Sequence, residues 1–199
     1  MHEHYYTASP TSQIREKSFV CSIRGITLVL TSASGVFAFG EKIDKASRIL
    51  IENFSPTGNA VLDLGCGYGA IGLFIKTIFP EQTICMSDIN GRAVDYAMLN
   101  AGKNGIDVSV KKSDLFSEFP GARFDDIVSN PPIAAGKKQN ADLISMSYEH
   151  LNLNGSLWLV AYHNKGGSAL KKIMEQRFGN VEDICKSGGI RVYRSRRGF

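Results

Sequence analysis

Residues 61–72, with the sequence Val-Leu-Asp-Leu-Gly-Cys-Gly-Tyr-Gly-Ala-Ile-Gly, constrain the fold more than any other stretch. The apolar residues at the start are typical of a buried parallel strand, and residues 70–79 have the pattern of a helix that follows it. Glycines allow a tight turn and a close approach of a ligand to the backbone, and the helix start offers unpaired N–H groups. We therefore predict a cofactor site at the glycines of the intervening turn, which are Gly65, Gly67 and Gly69.

These glycines alone leave the identity of the cofactor open, because residues 65–70 also satisfy the G-x-G-x-x-G/A pattern of dinucleotide-binding folds. Asp63 adds a discriminating feature. Its carboxylate, at the C-terminal end of the strand, would repel a pyrophosphate and attract an ammonium group. S-adenosylmethionine carries an amino group and a sulfonium and has no phosphate. We predict this cofactor, and we keep a nicotinamide-dependent oxidoreductase as the remote alternative.

Length and composition indicate one globular unit. The chain has 199 residues, of which 43% are hydrophobic, enough to fill a sizeable core. No apolar run approaches the length of a membrane span, and the N-terminus lacks the apolar centre of a signal peptide, so we expect a cytoplasmic protein without a membrane partner. The cysteines lie far apart and have no histidines at metal-ligand spacing, which predicts neither a metal nor disulfides. Cys66, inside the glycine turn, is interpreted as a small buried residue and not as a nucleophile.

Residues 1–58 precede the glycine motif and are expected to form an extension packed on the core. Residues 1–15 are polar and resemble an arm, whereas the apolar runs 19–23 and 26–30 predict a β-hairpin. A glycine-bounded loop carrying Phe37 follows, and then an amphipathic helix over residues 41–54. This extension would form a lid or wall over the cofactor with Phe37 as an apolar contact; the alternative is that Phe37 belongs to the core.

Residues 59–199 alternate between strands and helices. This alternation predicts an α/β fold, a doubly wound, Rossmann-like and mostly parallel sheet with ligands at the C-terminal ends of its strands. The last two strands lack a helix between them and read as a hairpin that closes the sheet edge. The seven predicted strands are residues 60–64, 83–87, 108–112, 126–129, 156–161, 181–185 and 190–194, and the predicted helices are residues 70–79, 92–104, 142–151 and 168–178.

Acidic residues end the second and third of these strands. Asp88 follows the glycine turn at the spacing at which an acid accepts hydrogen bonds from ribose hydroxyls. Ile89 would pack on one face of an adenine ring, and Asp114 would accept a hydrogen bond from the adenine amino group. Each acid alone is compatible with a helix or loop cap, but acids at three successive strand ends, Asp63 included, favour an adenosine site.

The fourth strand runs into Asn130, Pro131, Pro132 and Ile133, which form the second informative motif. Consecutive prolines fix the backbone and remove two N–H donors, so this turn presents carbonyl oxygens to a ligand. The Asn130 side-chain oxygen and the Pro131 carbonyl oxygen would then accept hydrogen bonds from one NH₂ group and aim its lone pair at a methyl sulfonium.

In order and spacing, residues 63–69, Asp88, Asp114 and residues 130–133 resemble class I S-adenosylmethionine-dependent methyltransferases that act on exocyclic amines. Residues 34–37, 130–136 and 188–193 further resemble the small-subunit ribosomal RNA guanine-N2 methyltransferase family, especially its single-domain archaeal-type members. The resemblance spans residues 5–195. It implies that residues 59–199 form the methyltransferase domain, that Leu115 joins Asp114 at the adenine, and that Asn130 and Pro131 hold the target amine.

The resemblance also implies RNA as the partner of a protein expected to be a monomer. The net charge is +4, and the basic residues Lys137, Lys138 and Arg191 suit a phosphate backbone. Many amine methyltransferases have an aromatic residue where this chain has Ile133, so base stacking is assigned to Phe37 or Tyr162 and RNA docking to the basic C-terminal tail. Methylation of a protein glutamine amide at N5 or of adenine N6 remains open, as does an RNA-binding module without turnover.

Overall fold

The computed structural model describes residues 13–198, so most of the predicted N-terminal arm, residues 1–12, lies outside the described residues. The chain first forms an antiparallel hairpin of β1 (Glu16–Ile23) and β2 (Ile26–Ala33). Arg24 and Gly25 make its turn with φ values of +51° and +81°, the left-handed pair that a two-residue hairpin turn requires. Helix α1 (Lys45–Asn53) follows and completes the N-terminal extension.

The second part of the chain alternates strands and helices as predicted. Its elements in chain order are β3 (Ala60–Leu64), α2 (Ala70–Ile78), β4 (Thr83–Asp88), α3 (Gly91–Asn104), β5 (Ser109–Lys112), β6 (Phe124–Ser129), α4 (Lys137–His150), β7 (Leu151–Tyr162), α5 (Gly167–Phe178), β8 (Glu182–Ser187) and β9 (Ile190–Arg196). Short 3-10 helices follow β6 and β7, at Ile133–Ala135 and His163–Lys165. None of the helices within residues 13–198 combines the length and apolar character that crossing a membrane requires.

The seven strands β3–β9 form one sheet in the order β5-β4-β3-β6-β7-β9-β8. The strands from β5 to β7 run parallel, whereas β9 is antiparallel to both of its neighbours. This confirms the prediction of a doubly wound, mostly parallel α/β sheet closed by a hairpin. The strand order reverses between β3 and β6, which is the point at which such sheets bind ligands.

Both faces of the sheet are buried, each under its own apolar cluster. Val61 and Val128 belong to the cluster that includes α1, α2, α3 and the hairpin, whereas their strand neighbours Leu62 and Ile127 belong to the cluster under α4 and α5. Alternate residues of a strand point to opposite faces, which explains why these strands are apolar throughout. The hairpin thus shares a core with the sheet.

Two helices begin four or five residues from the predicted positions. Helix α1 begins at Lys45 and not at residue 41, because the side chain of Asp44 accepts a hydrogen bond from Ser47 N at 2.9 Å and caps the helix. Helix α4 begins at Lys137 and not at residue 142. Its first turn is polar and its N-cap, Gly136, has no side chain, so the sequence carried no start signal there.

Candidate active site

A cavity lies at the C-terminal ends of β3, β4 and β6, where the strand order reverses. It is lined by residues from the glycine turn, from the loops after β4, β5 and β6, from the loop after the hairpin, and from the starts of α1 and α4. The lining residues are Phe37, Ala38, Ser47, Leu64, Gly65, Cys66, Gly67, Tyr68, Ala70, Ile71, Asp88, Ile89, Ala93, Ser113, Asp114, Leu115, Ser129, Asn130, Pro132, Ala135, Gln139, Asn140 and Leu143.

The glycine turn has the backbone conformation that its composition predicts. Gly65, Gly67 and Gly69 all have left-handed φ values, +76°, +57° and +90°, which L side chains rarely adopt. The turn is fixed from β4, because Gly65 N and Cys66 N donate to the Ser87 carbonyl oxygen at 2.8 and 2.9 Å. Gly65, Cys66 and Gly67 line the cavity, whereas Gly69 packs towards Ala97 of α3.

Cys66 is buried within this turn. Burial raises the pKa of its thiol well above the ordinary value, and the carboxylates of Asp63 and Asp88 act in the same direction. A thiol that is neutral at physiological pH is a poor nucleophile. The observation agrees with the interpretation of Cys66 as a small buried residue.

Asp63 is fully buried beneath the glycine turn and is not among the residues that line the cavity. Its Oδ2 accepts a hydrogen bond from Gly72 N at 2.8 Å, whereas Oδ1 is buried and has no partner within residues 13–198. Burial raises the pKa of this carboxyl group to about 7, and the charge of Asp88 adds to the effect. A buried carboxylate oxygen without a donor suits a nearby cation, so the predicted pairing with an ammonium group remains a prediction that this geometry fits.

The residues predicted to hold ribose and adenine all lie on the cavity. Asp88 Oδ2 accepts from Gly67 N and its Oδ1 from Asn90 N, both at 2.9 Å, so the carboxylate is fixed between the glycine turn and the start of α3. Ile89, Asp114 and Leu115 line the same cavity. Leu115 has a φ of +48°, an uncommon backbone conformation for a side chain of this size.

The Asn130-Pro131-Pro132 turn follows β6, which pairs with β3, the strand that leads into the glycine turn. Asn130 and Pro132 line the cavity, Pro131 is buried and is not among the lining residues, and Ile133 packs against Gly166. The Asn130 amide nitrogen Nδ2 donates to Asp44 Oδ2 and to Ser47 Oγ, each at 3.0 Å. Within residues 13–198 no donor reaches Asn130 Oδ1, which is left as an acceptor.

The loop after the hairpin forms one wall of the cavity through Phe37 and Ala38. Two side chains at the start of α3 fasten it: Asn90 Nδ2 donates to the Gly35 carbonyl oxygen, and Arg92 donates to the Ser34 carbonyl oxygen, both at 2.7 Å. Phe37 is therefore on the cavity, as the wall interpretation of the extension predicts.

The predicted RNA-binding residues are distributed unevenly. Lys137 and Lys138 are exposed in the first turn of α4, directly before the cavity residues Gln139 and Asn140. Arg191 lies opposite Ala161 near the C-terminal end of β7, outside the cavity. The exposed Tyr162 is also outside it, with Lys165 Nζ 5.5 Å from its ring centre.

The arginines at the end of the C-terminal tail lie far from the cavity. In the sheet, Arg196 lies opposite Ser156 of β7, and Ser156 lies opposite Asp126 near the start of β6. Arg196 is therefore at the N-terminal ends of the parallel strands, whereas the glycine turn is at their C-terminal ends. Arg197 donates to the Leu151 carbonyl oxygen at 2.5 Å and stacks near Tyr148. The Arg197 side chain holds the end of β9 in place, and neither Arg196 nor Arg197 lines the cavity.

Sequence reasoning missed two groups of residues on or next to the cavity. Asp44 and Ser47 contact Asn130 from 86 and 83 residues away, and Gln139 and Asn140 line the cavity from α4. The spacing Asp44-x-x-Ser47 before an apolar helix is a signal for a helix cap, which would have located the start of α1. No sequence signal relates that cap to Asn130.

Comparison with known proteins identifies the family. The family model described as "Methyltransferase small domain" matches residues 27–194. The chain belongs to the methyltransferase small domain family. This confirms the prediction of an S-adenosylmethionine-dependent methyltransferase, and the nicotinamide-dependent alternative does not fit.

Relatives of this methyltransferase cover nearly all of it. It is 37% identical over 201 residues to "Uncharacterized protein YbxB" of Bacillus subtilis (strain 168), covering 99% of this chain and 100% of that protein. It is 32% identical over 202 residues to "Ribosomal RNA small subunit methyltransferase C" of Pseudomonas entomophila (strain L48), covering 98% of this chain and 59% of the relative. The chain thus spans little more than half of the second relative.

Solved structures agree on the fold. The Thermus thermophilus 16S rRNA N2 G1207 methyltransferase (RsmC), in complex with AdoMet and guanosine, matches with a TM-score of 0.79 at 23% identity. The match covers 94% of this chain and 52% of that protein. At this identity the similarity establishes a shared class I methyltransferase fold.

The donor set on the cavity fits S-adenosylmethionine. The unpaired Asp63 oxygen lies beneath the turn, Asp88 lies at the end of β4, and Ile89 and Leu115 offer apolar surface beside Asp114. The lining carries no lysine or arginine, which a pyrophosphate would favour. No three histidine, cysteine, aspartate or glutamate side chains among residues 13–198 are grouped as a metal site would require.

Proposed function

We propose that this methyltransferase modifies an exocyclic amino group of ribosomal RNA, and that the group is the N2 amine of a guanine. The observation that carries the proposal is the position of Asn130. Its carboxamide lies on the cavity formed by the glycine turn, Asp88 and Asp114, with Nδ2 engaged and Oδ1 left to accept.

Asn130 and Pro131 act on the target amine. An exocyclic nitrogen is a weak nucleophile because its lone pair is delocalised into the ring. The Asn130 Oδ1 and the Pro131 carbonyl oxygen accept its two N–H groups, hold the lone pair out of the ring plane and direct it into the cavity. When bound, S-adenosylmethionine would supply an electrophilic methyl group and leave as S-adenosylhomocysteine. No strong base is needed at this position, because the nitrogen becomes acidic only as it is alkylated and its proton is then released to water.

Other residues bind and shield the reactants. Asp88 accepts hydrogen bonds from ribose hydroxyls, Asp114 accepts from the adenine amino group, and Phe37 forms part of the cavity wall beside the start of α3 and stacks on the target base. A base within an RNA helix must be flipped out of its stack to reach Asn130. Lys137 and Lys138, beside the cavity on α4, then neutralise phosphates of the flanking nucleotides.

The choice of ribosomal RNA is supported by the names of the relatives. Several proteins named ribosomal RNA small subunit methyltransferase C are 31–35% identical to this chain. The chain covers 59% of the Pseudomonas relative and 52% of the Thermus protein, so their specific nucleotide is not transferred to it.

Transfer of labelled methyl groups tests the proposal. Purified protein is incubated with labelled S-adenosylmethionine and, in parallel, with deproteinised ribosomal RNA, isolated small subunits and a protein extract. The products are then digested to nucleosides or amino acids. Label in N2-methylguanosine is expected. Label in N6-methyladenosine would identify adenine, and not guanine, as the target base. Label in methylglutamine would overturn the RNA assignment in favour of a protein substrate.

Two variants assign the roles within the cavity. Asn130→Ala should bind S-adenosylmethionine normally and lose about 2–4 kcal/mol of transition-state stabilisation, seen as a lower kcat. Asp88→Ala should weaken S-adenosylmethionine binding, measured by calorimetry. The reverse pattern, with binding lost in Asn130→Ala and kept in Asp88→Ala, would contradict the assignment.

A further inference from the structure

The cap of helix α1 and the Asn130 carboxamide form one hydrogen-bonded cluster. Asp44 Oδ2 accepts from Ser47 N at 2.9 Å, from Ser47 Oγ at 3.4 Å and from Asn130 Nδ2 at 3.0 Å. Ser47 Oγ also accepts from Asn130 Nδ2 at 3.0 Å. Both amide hydrogens of Asn130 are therefore engaged by the start of a helix that precedes the methyltransferase sheet.

We propose that Asp44 and Ser47 are positioning residues that fix the orientation of the Asn130 carboxamide. The inference rests on the proposed role of Asn130. A carboxamide has two orientations related by a flip that exchanges its oxygen and its nitrogen. In one orientation Oδ1 is free to accept from a substrate amine; in the other the NH₂ group takes its place and opposes that amine.

Asp44 decides between these orientations because an ionised carboxylate only accepts hydrogen bonds. With the carboxamide flipped, Asn130 Oδ1 would face Asp44 Oδ2, and two acceptors would be in contact. A hydrogen bond to a carboxylate is also stronger than one to a neutral acceptor, so the observed orientation is the favoured one. The Asp44 carboxylate also sets the orientation of the Ser47 hydroxyl group. The hydroxyl hydrogen points to the carboxylate, so a lone pair of Ser47 Oγ accepts the second amide hydrogen of Asn130.

Through this cluster the N-terminal extension influences catalysis, because it orients Asn130. Ser47 is buried at 6% exposure and lines the cavity, and the neighbouring Ala46 and Ile49 of α1 lie in the apolar cluster shared with the sheet. Helix α1 is thus held rigidly at the point where its cap meets Asn130. An orienting group on a packed helix loses little entropy when the substrate binds.

Substitutions at Asp44 separate the positioning role from the capping role. Serine is also a good N-cap, so Asp44→Ser keeps α1 capped, but its side chain is too short to reach Asn130. Asp44→Asn keeps both a cap and an acceptor at the right length. Ser47→Ala retains Asp44 and its bond to the Ser47 backbone. Glu52→Gln, which alters only an exposed ion pair with Arg48 on α1, serves as the control.

We expect kcat of Asp44→Ser to fall about tenfold to hundredfold, with an unchanged dissociation constant for S-adenosylmethionine. Asp44→Asn should recover much of this loss, Ser47→Ala should show a smaller loss, and Glu52→Gln should match the wild type. In the Asn130→Ala background, Asp44→Ser should have no further effect, because a residue that acts through Asn130 has nothing left to orient. Equal losses in both backgrounds would overturn the proposal.

The side-chain amide signals of Asn130 provide a readout that does not depend on turnover. In ¹⁵N-edited NMR spectra they are identified by their absence in Asn130→Ala. They should exchange slowly with solvent in the wild type and Asp44→Asn and rapidly in Asp44→Ser. Rapid exchange in the wild type would overturn the positioning role. If the wild type fails to methylate ribosomal RNA while the amide is protected, the proposed substrate fails and the orientation of Asn130 stands. Should Asp44→Ser not fold, Ser47→Ala decides both measurements.

Discussion

Asn100 of helix α3 pairs with the backbone of Thr31 in strand β2 as a neighbouring strand would. Its Oδ1 accepts from Thr31 N at 2.8 Å, and its Nδ2 donates to the Thr31 carbonyl oxygen at 2.9 Å. The same Nδ2 donates to the Tyr68 carbonyl oxygen in the glycine turn at 2.8 Å. One fully buried amide therefore joins the N-terminal hairpin, helix α3 and the glycine turn.

Replacing this amide should destabilise the whole protein. Asn100→Ala leaves buried backbone groups of Thr31 and Tyr68 without partners, so the free energy of unfolding should fall by about 2–4 kcal/mol. Asn104 makes the same pair with Val29 one helical turn away, where the two hydrogen bonds are exposed to solvent. Asn104→Ala should lower the free energy of unfolding by less than about 1 kcal/mol, because water can replace its hydrogen bonds. Urea denaturation of both variants checks this, and equal losses would contradict it.

Sequence patterns predicted the parts of this molecule that depend on local chemistry. The glycine turn, the alternating strands and helices, and the acids at the strand ends are each encoded in a few consecutive residues, and all were found at the predicted positions. Most strand and helix ends were within a few residues of prediction. The starts of α1, α4 and β7 differ from prediction by four or five residues; Asp44, and not an earlier residue, caps α1, and Gly136 before α4 has no side chain that could signal a cap.

The contacts between distant segments were not predictable. The bonds from Asp44 to Asn130 and from Asn100 to Thr31 join residues 86 and 69 positions apart. Each depends on how the extension packs on the sheet, which no local pattern records. The basic tail shows the same limitation. Its charges are close together in sequence, but Arg191 and Arg196 lie at opposite ends of β9, so that only Arg191 is at the C-terminal ends of the parallel strands.

A methyl group added to the glycine turn should weaken cofactor binding beyond its effect on stability. Gly67 and Gly25 both have left-handed φ values, +57° and +81°, and a Cβ atom at either would meet nothing within 4 Å. Gly67→Ala and Gly25→Ala should therefore each lower the free energy of unfolding by about 1 kcal/mol through backbone strain. Only Gly67 lines the cavity, so only Gly67→Ala should raise the dissociation constant for S-adenosylmethionine, measured by calorimetry. Equal affinities in the two variants would exclude Gly67 from the cofactor site.

The buried Asp63 should make stability depend on pH. Burial raises its pKa to about 7, so between about pH 4 and pH 7 the folded protein keeps a proton that the unfolded chain has lost. The wild type should lose stability as pH rises through this range. Asp63→Asn cannot titrate, and its oxygen can still accept from Gly72 N. The free energy of unfolding of Asp63→Asn minus that of the wild type should thus increase from pH 4 to pH 7 and level off above it.

The same comparison tests the predicted partner of Asp63. An ammonium group beside the carboxylate favours its charged form, so saturating S-adenosylmethionine should reduce the pH dependence of the wild type and leave that of Asp63→Asn unaltered. Urea denaturation across the range, with and without the cofactor, gives both results. If the cofactor does not change the pH dependence of the wild-type free energy of unfolding, the predicted contact between Asp63 and the ammonium group is wrong.

The lysines at the start of α4 should account for part of the salt dependence of RNA binding. Lys137 and Lys138 are exposed beside the cavity, and each phosphate contact that they make releases a counterion when RNA binds. Lys137→Ala with Lys138→Ala should weaken binding to ribosomal RNA and reduce the slope of log K against log salt by about 1–2. Arg196→Ala, which removes an exposed charge at the opposite edge of the sheet, should leave the slope nearly unchanged. If Arg196→Ala has the larger effect on the slope, the RNA lies along the C-terminal tail and approaches the cavity from β9. The sequence predicted this docking on the tail, but the position of the tail in the fold argues against it.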